Sequence, residues 1–288
     1  MIRKIHRVGR LAYKYGIALF NSLIVFLRST AYVPIASWIR FWTPGIAYHK
    51  QIFINPFSFT VHSQSISQRV ADLFMILTCV VDRQYNPPGF EIQKDDIVID
   101  IGGHIGSFSL LAAAYAPEGH VYTFEPDPNN GMLLQKNSAA NKLKNISIEQ
   151  VAVSGTTGQR NFYVNSLNTA ESGLYGLQTK RASIPIHSIT LLDIFQRYNI
   201  TCCNFLKLDC EGAEYEILFG TPASYLKKIE KIAMECHNPS YFNIPNMQYN
   251  QESMKKFLRS NGFAVTEVKE NAMHSLLFAR RDTSNQKI

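Results

Sequence analysis

The first 71 residues of this 288-residue chain contain no aspartate or glutamate, although they contain nine lysine and arginine residues. The remaining residues carry 20 basic and 22 acidic side chains, so the net charge of +7 arises from the amino-terminal part alone. Proteins that bind nucleic acid usually concentrate basic side chains around their binding face. The nearly neutral body therefore argues against a nucleic-acid partner.

Cysteine and long apolar runs are also scarce. The five cysteines are scattered, and the Cys-x-x-Cys spacing that is typical of zinc and redox sites does not occur. The apolar stretch from Ile17 to Leu27 is interrupted by Asn21 and has eleven residues, whereas a membrane-spanning helix needs about 20. These features favour a reducing, cytoplasmic location without a transmembrane segment.

The basic amino-terminal part is predicted to be an extension, residues 1–70, that precedes a main domain at 71–288. Its lysine and arginine side chains recur at helical spacing opposite an apolar stripe, at Arg3, Arg7, Arg10 and Lys14 against Ile5, Val8, Ala12, Tyr15 and Leu19. A basic amphipathic helix of this kind suits an anionic membrane surface, so peripheral membrane contact through residues 1–30 is expected. Two alternatives stay open: packing on the main domain, or a targeting signal that ends near Ser29-Thr30-Ala31.

The stretch VIDIGGHIGSF, from Val98 to Phe108, is the most informative motif. An apolar run ends in Asp100, and a turn that contains Gly102 and Gly106 follows. A second apolar run then ends in Glu125, nineteen residues after Gly106. This order predicts a strand, a glycine turn, a helix and a second strand, with a carboxylate at each strand tip. A carboxylate on the second tip is suited to binding the two hydroxyls of a ribose.

The glycine turn limits which nucleoside-bearing cofactor it can hold. His104 stands where the G-x-G-x-x-G pattern of dinucleotide sites has a second glycine for close approach of a pyrophosphate. Asp100 would repel a pyrophosphate but attract the sulfonium and α-ammonium groups of S-adenosylmethionine. The phosphate-binding P-loop pattern is absent as well. We therefore expect S-adenosylmethionine to bind at this turn, although any α/β protein can have two glycines after a strand.

The body alternates short apolar runs with amphipathic segments, as repeated βα units do. The pattern predicts strands at 97–101, 120–124, 146–151, 204–208 and 230–235, and helices at 70–81, 106–115, 129–140, 189–198 and 211–219, with Ser188 as a helix cap. The last two runs, 263–268 and 275–280, are joined by so short a link that they must be antiparallel. We predict an α/β, Rossmann-like seven-stranded methyltransferase sheet, mostly parallel with an antiparallel carboxy-terminal hairpin, and a basic helical amino-terminal extension.

These motifs resemble those of the FkbM-type methyltransferases. The resemblance is carried by VIDIGGHIGSFS, YTFEPDP, the AVS after the third strand, ITLLDIF and, most specifically, FLKLDCEGAEYEIL. It spans residues 85–236 and leaves 1–70 uncovered. It implies transfer of a methyl group from S-adenosylmethionine to a hydroxyl, often on a sugar or polyketide product. Family members usually have asparagine where His104 stands, so the contacts to the methionine end of the cofactor are expected to differ.

The resemblance also implies roles for single residues. Asp100, Gly102 and Gly106 would form the cofactor turn and Glu125 would bind the ribose. The adenine would be flanked by Ala152 and Val153. Three acids after the fourth strand would face the methyl-transfer site: Asp209, Glu211 and Glu214.

A hydroxyl acceptor has to lose its proton during methyl transfer, so a nearby base should accelerate the reaction. Asp209 is the first candidate for this base or for orienting the acceptor, followed by Glu211 and His237, and Lys207 could pair with Asp209. Other roles stay open, because Asp209 could cap a helix, Glu214 could favour a first helical turn and His237 could be a polar loop residue. Asp209 and Glu211 could hold a divalent cation, but no third ligand is visible and no metal is predicted.

Three classes of function remain. The first is an O-methyltransferase that acts on a sugar, a glycan or lipid-linked acceptor, or a secondary metabolite. The second is a non-catalytic binding protein with the S-adenosylmethionine fold, against which the retained Asp100, Glu125 and Asp209 argue. The third is an NAD or nucleotide-sugar enzyme, which the missing G-x-G-x-x-G disfavours. Residues 155–187 and 238–250, rich in Asn, Tyr and Gly, are expected to recognise the acceptor.

Overall fold

A computed structural model describes residues 23–25, 27–42, 50–165, 168–175, 182–242, 244 and 249–282. The strands are β1 (Lys50–Ile54), β2 (Phe57–Val61), β3 (Ile97–Ile101), β4 (His120–Phe124), β5 (Ile146–Glu149), β6 (Ala152–Val153), β7 (Gly158–Val164), β8 (Ala182–Ile189), β9 (Cys203–Leu208), β10 (Ile229–His237), β11 (Phe263–Lys269) and β12 (His274–Arg281). The α-helices are α1 (Ile35–Trp42), α2 (Ile66–Ile76), α3 (Ser107–Tyr115), α4 (Pro128–Ala140), α5 (Leu191–Arg197), α6 (Glu214–Gly220), α7 (Ala223–Leu226) and α8 (Gln251–Ser260).

The central sheet has seven strands in the spatial order β11–β12–β10–β9–β3–β4–β5. Strands β3, β4, β5, β9 and β10 are parallel, and β12 is antiparallel to β10 and β11. This arrangement confirms the predicted α/β sheet and its antiparallel hairpin. The sheet order changes direction at the β3–β9 pair, and ligands of open α/β sheets bind beyond the carboxyl ends of the strands at such a point.

The two strands at this point each carry one charge into the core. Asp100 on β3 is fully buried and Lys207 on β9 is 2% exposed. The parallel register places these two residues directly opposite each other, and their charged groups lie 3.2 Å apart. A buried charge is tolerated when it is paired. The pairing therefore favours this register over one shifted by a residue.

Two predicted helix starts were wrong. Helix α5 is capped by Thr190, whose side chain accepts a hydrogen bond from the N–H of Asp193. The predicted cap, Ser188, lies in β8 and donates its hydroxyl to two loop carbonyls. Helix α6 begins at Glu214 instead of residue 211, because Glu211 has a left-handed φ of 53° that a helix cannot contain.

The predicted helix at 70–81 falls within α2 and the π-helical turn Leu77–Val81 that continues it. Its inner face is fully buried at Leu73, Ile76 and Leu77. Ser65 caps α2 by accepting a hydrogen bond from the N–H of Gln68. This helix therefore lies inside the fold and brings its residues toward the carboxyl edge of the sheet.

The hairpin of β1 and β2 is attached to α4 through two asparagine side chains. The amide of Asn137 accepts from the N–H of Thr60 (2.6 Å) and donates to its carbonyl (3.1 Å). Asn141 forms the same pair of bonds with Ser58, at 2.9 and 2.7 Å. These amides occupy the backbone groups of an edge strand that would otherwise be open. The division into two parts at residue 70 stays a prediction, and residues 1–22 lie outside the described residues.

A second, three-stranded sheet has the order β6–β8–β7, in which β6 and β8 are parallel and β7 and β8 antiparallel. It accounts for the short strands that interrupt the βα series. Among the described residues, none of the helices has the length and apolar character needed to cross a membrane.

Candidate functional site

A cavity opens beyond the carboxyl ends of β3, β4 and β9, where the sheet order changes direction. It contains about 550 Å³ of empty space, including space that is open to solvent. Small-molecule sites typically have about 300–1,000 Å³. Its apolar wall is formed by Ile101, Phe124, Ala152, Val153, Phe162 and Leu174, so Ala152 and Val153 lie where an adenine was predicted.

The glycine turn is shaped by two close approaches. Gly102 has a φ of 82°, and a Cβ on it would lie 1.8 Å from the carbonyl oxygen of Asp209. Its N–H donates to the carbonyl of Phe124 (3.0 Å), which joins the turn to the tip of β4. Gly106 has a φ of 96°, and a Cβ there would lie 2.5 and 2.6 Å from two leucine side chains. Gly102 lines the cavity, whereas Gly106 shapes the turn from behind.

Asp100 supports the turn from inside the sheet and does not form part of the cavity wall described above. Its Oδ2 accepts a hydrogen bond from Ser109 (2.5 Å) and its Oδ1 lies 3.2 Å from Nζ of Lys207. The same ammonium donates to the carbonyl of Gly102 at 2.6 Å. Burial works against the charge on Lys207, but Asp100 and Asp209 raise its pKa above the usual value. Asp100 therefore supports the turn indirectly: it binds the ammonium of Lys207, and that ammonium binds the carbonyl of Gly102.

Glu125 follows β4 and faces the cavity with both carboxylate oxygens held. Its Oε2 accepts from the N–H of His104 (2.8 Å) and its Oε1 from the N–H of Asp127 (2.9 Å). Asn130 donates a longer bond to Oε1, at 3.3 Å. Burial raises the pKa of Glu125 to about 7. The second lone pair of Oε2 is available, and a ligand hydroxyl can replace the long Asn130 bond at Oε1, so the carboxylate can accept bonds from two hydroxyls of a ligand.

His104 lines the cavity in a left-handed conformation, with a φ of 49°. Its Nε2 lies 2.9 Å from the hydroxyl of Thr169 and 3.6 Å from Oδ1 of Asp72. Burial lowers the pKa of His104 to about 4, so the ring is neutral at pH 7. A neutral imidazole offers the cavity a dipole without a positive charge that would repel a cationic ligand.

Asp209 follows β9 and lines the cavity on the other side of β3 from Glu125, and it does not cap a helix. The sides of Glu125 and Asp209 are called the two ends of the cavity below. The hydroxyl of Tyr85 is 2.8 Å from Oδ2 of Asp209 and 3.1 Å from Oε1 of Glu235. Burial, followed by the charge of Asp209, raises the pKa of Glu235 to about 8. A protonated Glu235 can donate to the tyrosine oxygen while the tyrosine donates to Asp209. The hydroxyl of Tyr85 thus connects the carboxyl groups of Glu235 and Asp209 in one chain of hydrogen bonds.

His237 is the last residue of β10 and is buried, so it is not a loop residue. Its Nδ1 lies 2.8 Å from Oε1 of Glu214, and its Nε2 lies 3.6 Å from Oε1 of Glu211. The neighbouring carboxylates, Glu214 first, raise the pKa of His237 although burial opposes them. Glu214 is fully buried in the first turn of α6 and holds His237, which differs from the role that the resemblance implied.

Sequence reasoning found Glu235 at the end of a strand but gave it no role, and it missed Tyr85. Glu235 and His237 are two residues apart on one strand and therefore point to the same face, which was a usable signal. No sequence signal pointed to Tyr85. It follows α2 in a segment without a clear hydrophobic periodicity, and 150 residues separate it in the chain from Glu235, which it contacts. His274 on β12 was missed as well, and its Nδ1 lies 3.7 Å from Oε2 of Glu235.

The two ends of the cavity differ in chemistry. The Glu125 end offers hydroxyl-binding oxygens beside an apolar wall, as a nucleoside needs. The Asp209 end offers carboxyl groups joined through a tyrosine, which can take up a proton. The geometry is therefore suited to holding a nucleoside-bearing molecule beside a second molecule that loses a proton.

Comparison with known proteins identifies the family of this chain. The model of the methyltransferase FkbM domain family matches residues 100–265. The chain is 26% identical over 194 residues to the 31-O-demethyl-FK506 methyltransferase FkbM of Streptomyces tacrolimicus, covering 57% of this chain and 74% of that protein. It is 25% identical over 205 residues to Methyltransferase 1 of Beauveria bassiana, covering 64% and 78%. The solved structure of M. jannaschii TYW2 in complex with AdoMet superposes with a TM-score of 0.42 at 14% identity, covering 83% and 90%.

Proposed function

This chain belongs to the FkbM methyltransferase family, and we propose that it transfers a methyl group from S-adenosylmethionine to a hydroxyl of a small-molecule acceptor. The cofactor is S-adenosylmethionine. The single observation that carries the finer proposal is that two carboxyl groups line one cavity from strands on either side of β3. Glu125 is suited to the cofactor's ribose and Asp209 to the acceptor.

The described residues fit S-adenosylmethionine at the first end of the cavity. The carboxylate of Glu125 can accept both ribose hydroxyls, and the apolar Ala152 and Val153 can contact the adenine. The Gly102 turn lines the cavity with its backbone, beside which the methionine part can lie. When bound, S-adenosylmethionine supplies an electrophilic methyl carbon on a positively charged sulfur.

Asp209 is placed to act on the acceptor. Methyl transfer requires the acceptor oxygen to form a bond to the methyl carbon while the carbon–sulfur bond breaks and its electron pair stays on sulfur. The hydroxyl proton passes to the carboxylate of Asp209. Proton transfer to a positioned base typically contributes about 100- to 10,000-fold to the rate. Holding the oxygen in line with the breaking bond contributes further.

The acceptor is a hydroxylated small molecule, and a sugar or a secondary metabolite suits the site. The cavity wall includes Thr169, Ser172 and Gly173, and Gly173 lies against Glu211. Such short polar groups bind hydroxyl-rich ligands by hydrogen bonds. The name of the Streptomyces tacrolimicus relative, which specifies O-methylation, supports a hydroxyl acceptor.

Titration with the candidate cofactors distinguishes the proposed function from an NAD-dependent enzyme, and an assay of methyl transfer distinguishes it from a non-catalytic binding protein. Purified protein is titrated calorimetrically with S-adenosylmethionine and, separately, with NAD. We expect micromolar binding of S-adenosylmethionine, no binding of NAD, and a loss of affinity of roughly 100-fold in Glu125→Ala, because two charge-assisted bonds of about 1.5–3 kcal/mol each are removed. Binding of NAD in place of S-adenosylmethionine would overturn the proposal. Cofactor binding without methyl transfer to any hydroxylated acceptor would indicate a binding protein.

We also propose that the amino-terminal part touches an anionic membrane surface. In the described residues before β1, apolar side chains are more than half exposed at Leu23, Leu27, Ile35 and Ile39. The nine basic and no acidic residues of positions 1–71 complement anionic lipid. Deletion of residues 1–30 should leave cofactor affinity intact and abolish sedimentation with phosphatidylserine-containing vesicles. Unchanged sedimentation would contradict membrane contact.

A further inference from the structure

Five side chains that offer metal-ligand atoms meet around His237, and one of them, Asp209, lines the cavity. They come from the loop after β9, from β10 and from β12: Asp209, Glu211, Glu235, His237 and His274. They form two triads that share His237, and within each triad the ligand atoms lie within 4.8 Å of one another. Sequence analysis considered only Asp209 and Glu211 as possible cation ligands and found no third one. The order of the strands in the sheet brings further ligands beside them.

The spacing around His237 is suited to an ion. Its Nε2 lies 3.6 Å from Oε1 of Glu211 and 3.6 Å from Oε2 of Glu235. Both distances exceed a hydrogen bond. Two ligand atoms that are each about 2.1 Å from a tetrahedral metal lie about 3.4 Å apart. Nδ1 of His274 lies 3.7 Å from Oε2 of Glu235, and the ligand atoms of Glu235, His237 and His274 all lie within 4.8 Å of one another. One metal ion can therefore contact these three atoms after small movements.

The ring of His237 is held by a carboxylate, as the ring of a metal-binding histidine usually is. Its side chain is 3% exposed, and its Nδ1 lies 2.8 Å from the fully buried Glu214. Glu214 is held in turn by the N–H groups of Cys210 and Gly212. A ligating histidine almost always donates its second N–H to a carboxylate or carbonyl, which fixes the ring and directs the other nitrogen at the metal. Glu214 thus directs Nε2 of His237 between the two glutamates.

The local charge also favours a cation. Three carboxyl groups, Asp209, Glu211 and Glu235, surround Nε2 of His237 in a nearly dry site, where each is only 12 or 13% exposed. The nearest lysine, Lys207, is 3.9 Å from Asp209 but closer to Asp100, at 3.2 Å. A divalent ion would balance part of this charge.

The second buried triad is less suited to a metal. It consists of His62, Asp72 and His104. There Nδ1 of His62 lies 3.0 and 3.1 Å from the two oxygens of Asp72, and Nε2 of His104 lies 2.9 Å from Thr169. These contacts are ordinary hydrogen bonds, and a metal would have to break them.

We propose that Glu235, His237 and His274 bind a divalent transition-metal ion, with Asp209 and Glu211 within reach as further ligands. Mixed imidazole and carboxylate ligands suit ions such as Mn²⁺ and Zn²⁺ better than Mg²⁺. The role of the ion rests on the proposed function: bound beside the acceptor, it would hold the hydroxyl oxygen and make its proton easier to remove. The binding of the ion itself does not depend on methyl transfer.

The test is a titration of the full-length protein with MnCl₂, followed by the electron paramagnetic resonance signal of free Mn²⁺, with ZnCl₂ as competitor. We expect one Mn²⁺ per chain, displaced by Zn²⁺, and a rise in Tm when Mn²⁺ is bound. Glu235→Gln should weaken Mn²⁺ binding at least tenfold, because its amide oxygen keeps the bonds to Tyr85 and Gln84 but carries no charge. Glu118→Gln, an exposed acid at the opposite edge of the sheet, should bind as the wild type does.

The outcomes are distinct. Failure of the wild type to bind Mn²⁺ or Zn²⁺ would overturn the proposal, as would equal binding by wild type and Glu235→Gln. Loss of binding in His62→Gln but not in Glu235→Gln would place the ion in the other triad and overturn it as well. S-adenosylmethionine is titrated into the same sample. Cofactor binding without Mn²⁺ binding would refute the metal site alone, and Mn²⁺ binding without cofactor binding would refute the proposed function alone.

Discussion

The two ends of the cavity balance their charges in different ways. At the cofactor end, the ammonium of Lys207 neutralises Asp100, and two backbone N–H groups and an amide bind the oxygens of Glu125. At the acceptor end, Asp209 and Glu235 share one tyrosine hydroxyl. The first end is therefore complete before any ligand arrives, as expected for a preorganised binding site. The second is arranged to gain a proton or a cation during the reaction.

Gly102 connects the two ends, and replacing it should disturb both. In Gly102→Ala the new Cβ would meet the carbonyl of Asp209, 1.8 Å away, at a φ of 82°. We expect a loss of about 3 kcal/mol or more in the free energy of unfolding, together with loss of cofactor binding. Urea denaturation and calorimetry measure the two effects.

Gly89→Ala is the matched control, because Gly89 also has a positive φ, 88°, but nothing within 4 Å of a new Cβ. It should cost only the conformational strain, about 1 kcal/mol. Equal losses in the two variants would show that the close approach of Gly102 to Asp209 has no consequence.

Asp209→Asn should affect the acceptor end of the cavity and leave the cofactor end unchanged. Removing the proposed base is expected to lower the rate of methyl transfer by roughly 100- to 10,000-fold, while S-adenosylmethionine affinity changes little. Transfer of labelled methyl groups to an acceptor found by screening hydroxylated metabolites measures the first, and calorimetry the second. Asp95→Asn, an exposed acid before β3, serves as control. A large loss of cofactor affinity with unchanged transfer would assign Asp209 to the cofactor end.

Tyr85→Phe should have a smaller effect that is confined to the acceptor end. The change removes the hydroxyl that joins Asp209 to Glu235 but keeps the fully buried ring. One lost hydrogen bond to a charged group is worth about 1.5 kcal/mol, or roughly a tenfold lower transfer rate. Tyr115→Phe removes an exposed hydroxyl bonded to Arg83 and should leave the rate unchanged. An identical effect of the two variants would contradict the shared-proton arrangement.

The pH dependence of cofactor binding should be the mildest of these effects. Burial raises the pKa of Glu125 to about 7, so the carboxylate that accepts ribose hydroxyls is depleted below that pH. Affinity for S-adenosylmethionine should therefore be about tenfold weaker at pH 6 than at pH 8, as calorimetry can show. Glu125→Gln should lose this dependence, and its persistence in that variant would assign it to another group.

The raised pKa of Glu125 affects the stability of the protein in the opposite direction: low pH weakens cofactor binding but favours the folded state. The folded protein holds the proton on Glu125 more tightly than the unfolded chain does, between the ordinary value of 4.5 and about 7. The contribution of this group to the free energy of unfolding is therefore present below pH 4.5 and is lost as the pH rises through 7.

The cofactor end could be predicted because its parts are close in the chain. The apolar run to Asp100, the glycine turn and Glu125 lie within 28 residues, and local patterns fix each element. The capping of α5 was missed for a local reason, since both Ser188 and Thr190 are good caps and β8 extends through the first of them. The acceptor end was predicted only in part, through Asp209, Glu211 and His237.

By itself, the sequence determined the order of strands and helices in the main βα series, the sheet class, the cofactor turn and the acids that follow its strands, because hydrophobic period and turn residues are local properties. Only the tertiary structure decided which of these groups meet. The register of β3 against β9 paired Asp100 with Lys207, and α2 delivered Tyr85 to Asp209 and Glu235. The antiparallel β12 brought His274 beside the same glutamate. Contacts between residues so far apart in the chain depend on the packing of whole elements, which no local pattern encodes.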